Sequence, residues 1–319
     1  MTPRISVALS TYNGARYLRE QIDSVLAQEG VDLELVCVDD GSSDDTPAIL
    51  AEYAARDPRV SWSANPRNLG PTASFERAMS LCRGEFIAPC DQDDYCEPGK
   101  LRTLLAAIGD ADLAYCDSRY MDGDGRDLGC RVSGHMRMLE GRRPVEFLFG
   151  NSVSGHASLV RRSLFEQARP FPEGVYHDWW LALCAAALGQ LLCHPSATVL
   201  YRQHGRNAAG GRWWMRASLD AALHPVRWWR GSLTAFSATV AQACALACRV
   251  ERESPSGASL PTLRAYCRAF STGTGALQRM RTVRRHGVRP RSSLGYPLFF
   301  YARVVLWPAG GPGPRGADR

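Results

Sequence analysis

Apolar residues in the first half of the chain recur with two alternating periods. Short apolar runs at residues 4–9, 33–38, 60–62 and 85–89 predict buried strands. Between them the apolar positions are three and four residues apart, as at Leu18, Ile22, Val25 and Leu26. That spacing predicts helices over residues 17–28, 47–53 and 72–82. A helix at 101–108, strands at 111–117 and 157–160 and an apolar helix at 181–188 continue the series. The alternation predicts an α/β fold, a mostly parallel sheet flanked by helices on both faces. Ligands of such sheets bind beyond the carboxyl ends of the strands.

Three predicted strands end in polar, acidic or glycine-bearing turns: Ser10-Thr11-Tyr12-Asn13-Gly14, Asp39-Asp40-Gly41-Ser42-Ser43 and Cys90-Asp91-Gln92-Asp93-Asp94. Their shared location makes them one candidate site. Carboxylates as dense as Asp91, Asp93 and Asp94 repel one another unless something positive sits among them. A divalent cation with oxygen ligands meets that need; Mg²⁺ binds through one or two carboxylates plus substrate phosphates. The same stretch also reads as a solvated acidic turn, with Asp93 or Asp94 capping the helix that begins near Pro98. Asp39-Asp40 reads equally as a tight turn with Gly41 at positive φ, Thr11-Tyr12 as strand-end packing, and Asp178 as a helix cap. Lys100, the single lysine, reads as a solvated cation opening the next helix. Neither GxGxxG nor GxxxxGK[ST] occurs, so no dinucleotide fingerprint or P-loop is indicated. Asp122-Gly123-Asp124-Gly125 reads as a hairpin turn without the ligand pattern of a calcium loop. Residues 130–150 read as a mobile loop.

The three turns, with Asp44-Asp45-Thr46 and Asn68-Leu69-Gly70, stand in an order and spacing that resembles family 2 glycosyltransferases over about residues 4–210. That resemblance implies a GT-A fold and a nucleotide-sugar donor. It implies that Asp40 accepts from the N3–H of the base, that Asp39 supports the loop, and that Thr11, Tyr12 and Asn13 contact the nucleotide with Arg67 beside it. Asp91 and Gln92 would lie against the donor. Asp93, with Asp91 and His204, would bind Mn²⁺ or Mg²⁺, which stabilises the departing nucleoside diphosphate. Gly155 and His156 lie in a loop that resembles the sugar-facing loop, where glycine lets backbone approach the ligand; a tight turn is the alternative. His177, Trp179, Trp180 and Arg202 would border the sugar, acceptor or diphosphate. Asp178 corresponds to the general base, which takes the acceptor hydroxyl proton opposite the leaving group and so inverts the anomeric centre. The combination with Tyr201-Arg202-Gln203-His204 looks most like the rhamnosyltransferase branch, implying dTDP-L-rhamnose as donor and a cell-surface glycan or polyprenyl-linked acceptor. The alternatives are a UDP-hexose donor, a nucleotidyltransferase, or a non-catalytic glycan- or membrane-binding protein. A nucleotidyltransferase should carry a Gly-rich basic loop where Ser10-Thr11-Tyr12-Asn13-Gly14 stands, and the intact carboxylates oppose a decayed site.

Charge separates the two ends of the chain. Residues 201–319 carry 19 Arg against 4 acids, a net +15, so the first 200 carry −9 of the overall +6. An acidic front does not suit a nucleic-acid groove. The rear is predicted to be α-helical at 233–250 and 262–270, basic at 279–291 and apolar at 294–307. It suits an anionic membrane surface or packing on the catalytic domain or a second subunit. A domain at 1–210, a helical region at 211–307 and a disordered tail at 308–319 follow. No run of about 18 uninterrupted apolar residues offers a spanning helix. The 11 Cys include no CxxC pair; several, Cys37, Cys184, Cys244 and Cys248 among them, read as core residues, and a reducing compartment fits. With no apolar signal region at the N-terminus, the expected location is cytoplasmic, peripheral on the inner face of the plasma membrane.

Overall fold

The computed structural model describes residues 5–204, 224–270, 274–287 and 296–307. The predicted boundary at 210, Trp213-Trp214 and the 308–319 tail lie outside them. The chain divides into two compact units, residues 1–142 with 152–203, and residues 143–151 with 204–319.

The first unit opens with β1 (Ile5–Thr11), α1 (Ala15–Leu26), β2 (Leu33–Asp39), α2 (Thr46–Arg56), β3 (Val60–Ala64), α3 (Pro71–Leu81) and β4 (Phe86–Cys90). These are the predicted alternating elements. Next come β5 (Tyr95–Cys96), α4 (Lys100–Ile108), β6 (Leu113–Met121), β7 (Asp127–Arg131), β8 (Ser158–Arg161), α5 (Arg162–Ala168), α6 (His177–Leu188) and β9 (Leu191–Arg202). One sheet runs β3-β2-β1-β4-β8-β6-β9-β5, with β7 beside β6. β1 pairs parallel with β2 and β4, and β2 with β3. Thr11 lies opposite Asp39, and Leu9 opposite Cys90, so the carboxyl ends share one rim.

Beyond β4 the sheet is mixed rather than mostly parallel. β8 runs antiparallel to both β4 and β6, and β5 antiparallel to β9. β8 is entered through a 3-10 turn, Gly155–Ala157, rather than a crossover helix, so nothing forces a parallel return. Leu9, Leu35, Cys37, Leu50, Ala88 and Leu104 belong to the apolar core between sheet and helices. The stretch read as a mobile loop buries Val132 and Leu139, and Tyr115 Oη donates to the Leu139 carbonyl at 2.8 Å.

The second unit contains α7 (Pro225–Glu253), α8 (Leu260–Ala269), α9 (Ala276–Arg285) and α10 (Tyr296–Val305). Phe236, Val240, Ala243, Ala247 and Val250 are buried at alternating four- and three-residue steps along α7, the spacing of a packed helix face. Phe236 meets Phe270 and Trp307 edge-on. Residues 229–253 are nonetheless long and apolar enough to cross a membrane by length and composition, which the sequence reading did not find, and 44% of that helix's most apolar window is buried. The buried Arg279 guanidinium donates to the carbonyls of Val304 and Val305, closing the end of α10.

Candidate active site

The rim is stitched across strands by side chains that the sequence placed there. Gln92 grips the backbone of Tyr12 from both sides: Tyr12 N–H donates to Oε1 at 2.8 Å, and Nε2 donates to the Tyr12 carbonyl at 3.1 Å. Asn13, at φ 49°, donates its N–H to Ser42 Oγ and accepts the Ser43 N–H, both at 2.8 Å. A side chain at Gly14 would collide with Gln92, since its Cβ would stand 2.2 Å from Oε1. Asp39 accepts from Thr11 Oγ1 and from the N–H groups of Gly41 and Ser42, which shapes the second turn. Asp40 is buried and accepts from Asn65 Nδ2, Leu69 N–H and Gly70 N–H at 2.7, 2.8 and 2.9 Å. A carboxylate has about four acceptor sites, so Asp40 keeps one beyond the loop it holds. Arg67 and Tyr12 are exposed at this edge.

The acids after β4 meet a histidine. Ligand atoms of Asp91, Asp94 and His156 lie within 4.8 Å of one another. His156 Nδ1 is 3.4 Å from Asp91 Oδ2 and 3.1 Å from Asp94 Oδ2, while its Nε2 meets Ser118 Oγ at 3.1 Å. Asp94 is fully buried. Its Oδ1 accepts the Arg202 N–H, and Oδ2 has no hydrogen-bond partner. Burial, with the Asp91 and Asp93 charges, pushes the Asp94 carboxyl up to about 8. Burial works against charge on His156, but the two carboxylates outweigh it and raise the imidazole. The sequence reading took Asp94 as a cap or supporting group and named Asp93 and His204 with Asp91. The structure gathers Asp94 and His156 around Asp91 instead. Asp93 presents its carbonyl to Arg202 Nε at 2.8 Å, and His204 begins the second unit. An imidazole and two carboxylates suit a hard divalent cation of the Mn²⁺ type, and the orphaned Asp94 Oδ2 is an acceptor such an ion would satisfy.

Asp178 sits at the start of α6. Its carboxylate accepts the N–H of Trp179 at 2.6 Å, and Gly155 packs against it, so that an added Cβ there would stand 3.6 Å from Asp178 Cβ. Burial and the Asp91 charge raise its carboxyl above the usual range, partly offset by His177. The His177 ring stacks on Phe75 at 3.8 Å, and burial lowers its pKa, so the imidazole is neutral. Its Nε2 is buried without a partner, and a Cβ on Gly155 would stand 2.6 Å from it.

Two residues assigned to the sugar are structural. Trp180 has no exposed surface, and its Nε1 donates to the Ala168 carbonyl at 2.8 Å. One residue along a helix turns the side chain by about 100°, so Trp179, half buried, faces elsewhere. Arg202 is 2% exposed; it donates to Glu20 Oε2 at 2.6 Å and stacks its guanidinium on Tyr17. It braces the acidic turn from beneath rather than reaching for a diphosphate. Lys100, read as solvated, is also buried. No local signal marks Asp94 or Lys100 as interior, because their burial comes from β9 and the Gly155–Ala157 turn.

A sheet whose first four strands share one rim, with paired acids after β4 and the partly buried Asp178 nearby, defines a sugar-nucleotide transferase fold. The chain matches Glycosyl transferase family 2 over residues 6–169 and belongs to that family. It is 32% identical to the succinoglycan biosynthesis protein ExoO of Rhizobium meliloti over 62% of this chain and 60% of that protein. The chain thus spans about three-fifths of that relative's length. Among solved structures it resembles S. aureus TarS in complex with UDP-GlcNAc, with TM-score 0.56, 18% identity and coverage of 95% of this chain and 87% of that one. A mannosyltransferase of Pyrobaculum calidifontis in complex with GDP-Man and Mn²⁺ superposes with TM-score 0.50 at 17% identity, over 95% and 85% of the two chains. These similarities establish the GT-A type of fold.

Proposed function

We propose that this protein is a metal-dependent inverting glycosyltransferase with Asp178 as its general base. The observation that carries the reading is the Gly155–Ala157 turn, whose first two residues join the two halves of the chemistry. Gly155 packs against His177 and Asp178, and His156 faces Asp91 and Asp94. Asp178 takes the proton of the acceptor hydroxyl as that oxygen bonds to the anomeric carbon. The bond from that carbon to the diphosphate oxygen breaks, and the nucleoside diphosphate leaves with the electron pair. A carboxyl kept above its usual pKa is a stronger base than a solvated one. Asp91, Asp94 and His156 would hold the divalent cation, which offsets the diphosphate charge and the charge growing on the leaving group. The rim turns bind the nucleotide, with Asp40 offering its spare acceptor to the base.

The finer reading is a dTDP-L-rhamnose donor and a growing surface glycan as acceptor, supported by the motif resemblance and by the succinoglycan relative. The UDP-GlcNAc and GDP-Man complexes of its fold neighbours make those sugars the first competitors. The basic rear unit supports a peripheral site on the cytoplasmic face of a membrane. A thermal-shift panel of dTDP-L-rhamnose, UDP-GlcNAc and GDP-Man, each with and without Mn²⁺, tests both points, because ligands that bind only the folded state raise Tm. The reading expects one donor to stabilise strongly and only with the ion. Equal shifts in EDTA would refute the metal dependence, and no shift with any donor would refute the transferase.

A further inference from the structure

Lys100 opens α4 and is 2% exposed. Its Nζ donates to the His156 carbonyl at 2.5 Å and lies 3.4 Å from Cys96 Sγ. Neither partner is a carboxylate. Burying an ammonium costs several kcal/mol unless its surroundings compensate, and a cation is disfavoured at a helix N-terminus. The chain has 38 basic side chains, and this is its single lysine. Arginine serves everywhere else, yet its planar five-donor fork would not fit a pocket offering one carbonyl and one sulfur. The charge of Lys100 acts on the site, favouring the ionised form of Asp91 and opposing the protonated form of His156.

We propose that Lys100 is a positioning residue of the transferase site: its buried side chain fixes the Gly155–Ala157 turn through the His156 carbonyl. The inference rests on the transferase reading above. It holds the backbone of His156 in place before any ion or donor arrives. It also assigns a task to the one basic side chain that is not arginine.

Loss of the anchor predicts a defect at the site that a side-chain donor partly restores, which a packing defect does not. Lys100→Met removes both charge and donor; Lys100→Gln keeps a donor and removes the charge. Binding of MnCl₂ alone is measured by loss of the free Mn²⁺ resonance. Binding of a nucleoside diphosphate alone uses whichever of UDP, dTDP and GDP binds wild type tightest. In Lys100→Met the Mn²⁺ Kd is expected to rise about threefold or more, because the turn that carries His156 loses its anchor, and in Lys100→Gln to rise less, with the nucleotide Kd changing less than either. Turnover is expected to fall about tenfold in Lys100→Met and less in Lys100→Gln, with donor KM changing less than kcat. If Lys100→Met does not fold, Lys100→Gln alone carries the test. A Mn²⁺ Kd and kcat unchanged from wild type in the folded variants, or a Lys100→Gln at least as impaired as Lys100→Met, overturn the role of Lys100. A wild type that binds neither Mn²⁺ nor any of the three nucleotides sinks the transferase reading itself.

Discussion

Gly155 packs against Asp178: a Cβ added to the glycine would stand 3.6 Å from the Asp178 Cβ. The next side chain along, His156, reaches Asp91 and Asp94. One peptide unit therefore fixes the distance between the base and the acidic pair, and neither can be re-aimed alone. Close packing of His177 against Gly155 removes the remaining freedom.

Gly155→Ala tests that coupling. The added Cβ would stand 2.6 Å from His177 Nε2 and 3.6 Å from Asp178 Cβ. His177 is stacked on Phe75 and cannot swing away cheaply, so the turn must lift. Overpacking of this kind costs about 1–3 kcal/mol, and a displacement of about 1 Å at the chemistry can cost about 100-fold in rate. We expect kcat to fall between about 10- and 100-fold with donor KM within about threefold, measured by steady-state transfer. An unchanged kcat would detach the turn from the chemistry.

Asp178→Asn keeps the shape and an oxygen that can accept the Trp179 N–H, while removing the base. Transfer should fall about 100-fold or more, with nucleotide binding by calorimetry nearly intact. The pH profile adds a sign. Burial raises this carboxyl, and only its ionised form accepts the proton. Wild-type kcat/KM should therefore rise with pH through a midpoint above the ordinary carboxylate range. A midpoint at or below that range, or wild-type transfer by the variant, would rule Asp178 out.

Much of this arrangement was legible in the chain because it rests on local period and local turn chemistry. The runs that became β1, β2, β3 and β4 alternate with helical spacing, and parallel pairing then carries their carboxyl ends to one rim. What was not legible depends on packing from afar. Lys100 and Asp94 look solvated beside Pro98 and Asp93, and only β9 and the 155–157 turn enclose them. The direction of β8 cannot be read from its own four residues. β9 escaped notice as a strand because Pro195 interrupts the pattern, and the ladder with β6 shifts register on both sides of Asp117. Trp179 and Trp180 are identical in sequence terms, and their helical rotation alone sends one into the core.

Gln92→Ala removes both hydrogen bonds to the Tyr12 backbone and leaves the acids in place. Because the pair is solvent-facing, the loss in stability should be about 1 kcal/mol or less. The first turn would then be free of the third, so the nucleotide should bind about threefold to tenfold more weakly while kcat changes little. A kcat loss without a change in nucleotide Kd would place Gln92 in the chemical step instead.

Asp94→Asn separates stability from function. In the metal-free protein this carboxyl is buried beside Asp91 and Asp93, and those charges with burial push it to about 8. Its folded pKa lies above the unfolded one, so the folded state binds the proton more tightly and ionisation near neutral pH opposes folding. An amide fits the same space, still accepts the Arg202 N–H through its oxygen, and carries no charge. The metal-free variant should therefore melt higher than wild type at pH 7.5, by about 2–5 °C. The order should reverse once Mn²⁺ is added, because the variant offers the ion one carboxylate fewer, and transfer should fall about 100-fold with it. If Asp94→Asn melts lower than wild type in EDTA and gains as much from Mn²⁺, Asp94 is a structural acid and the cation is held elsewhere.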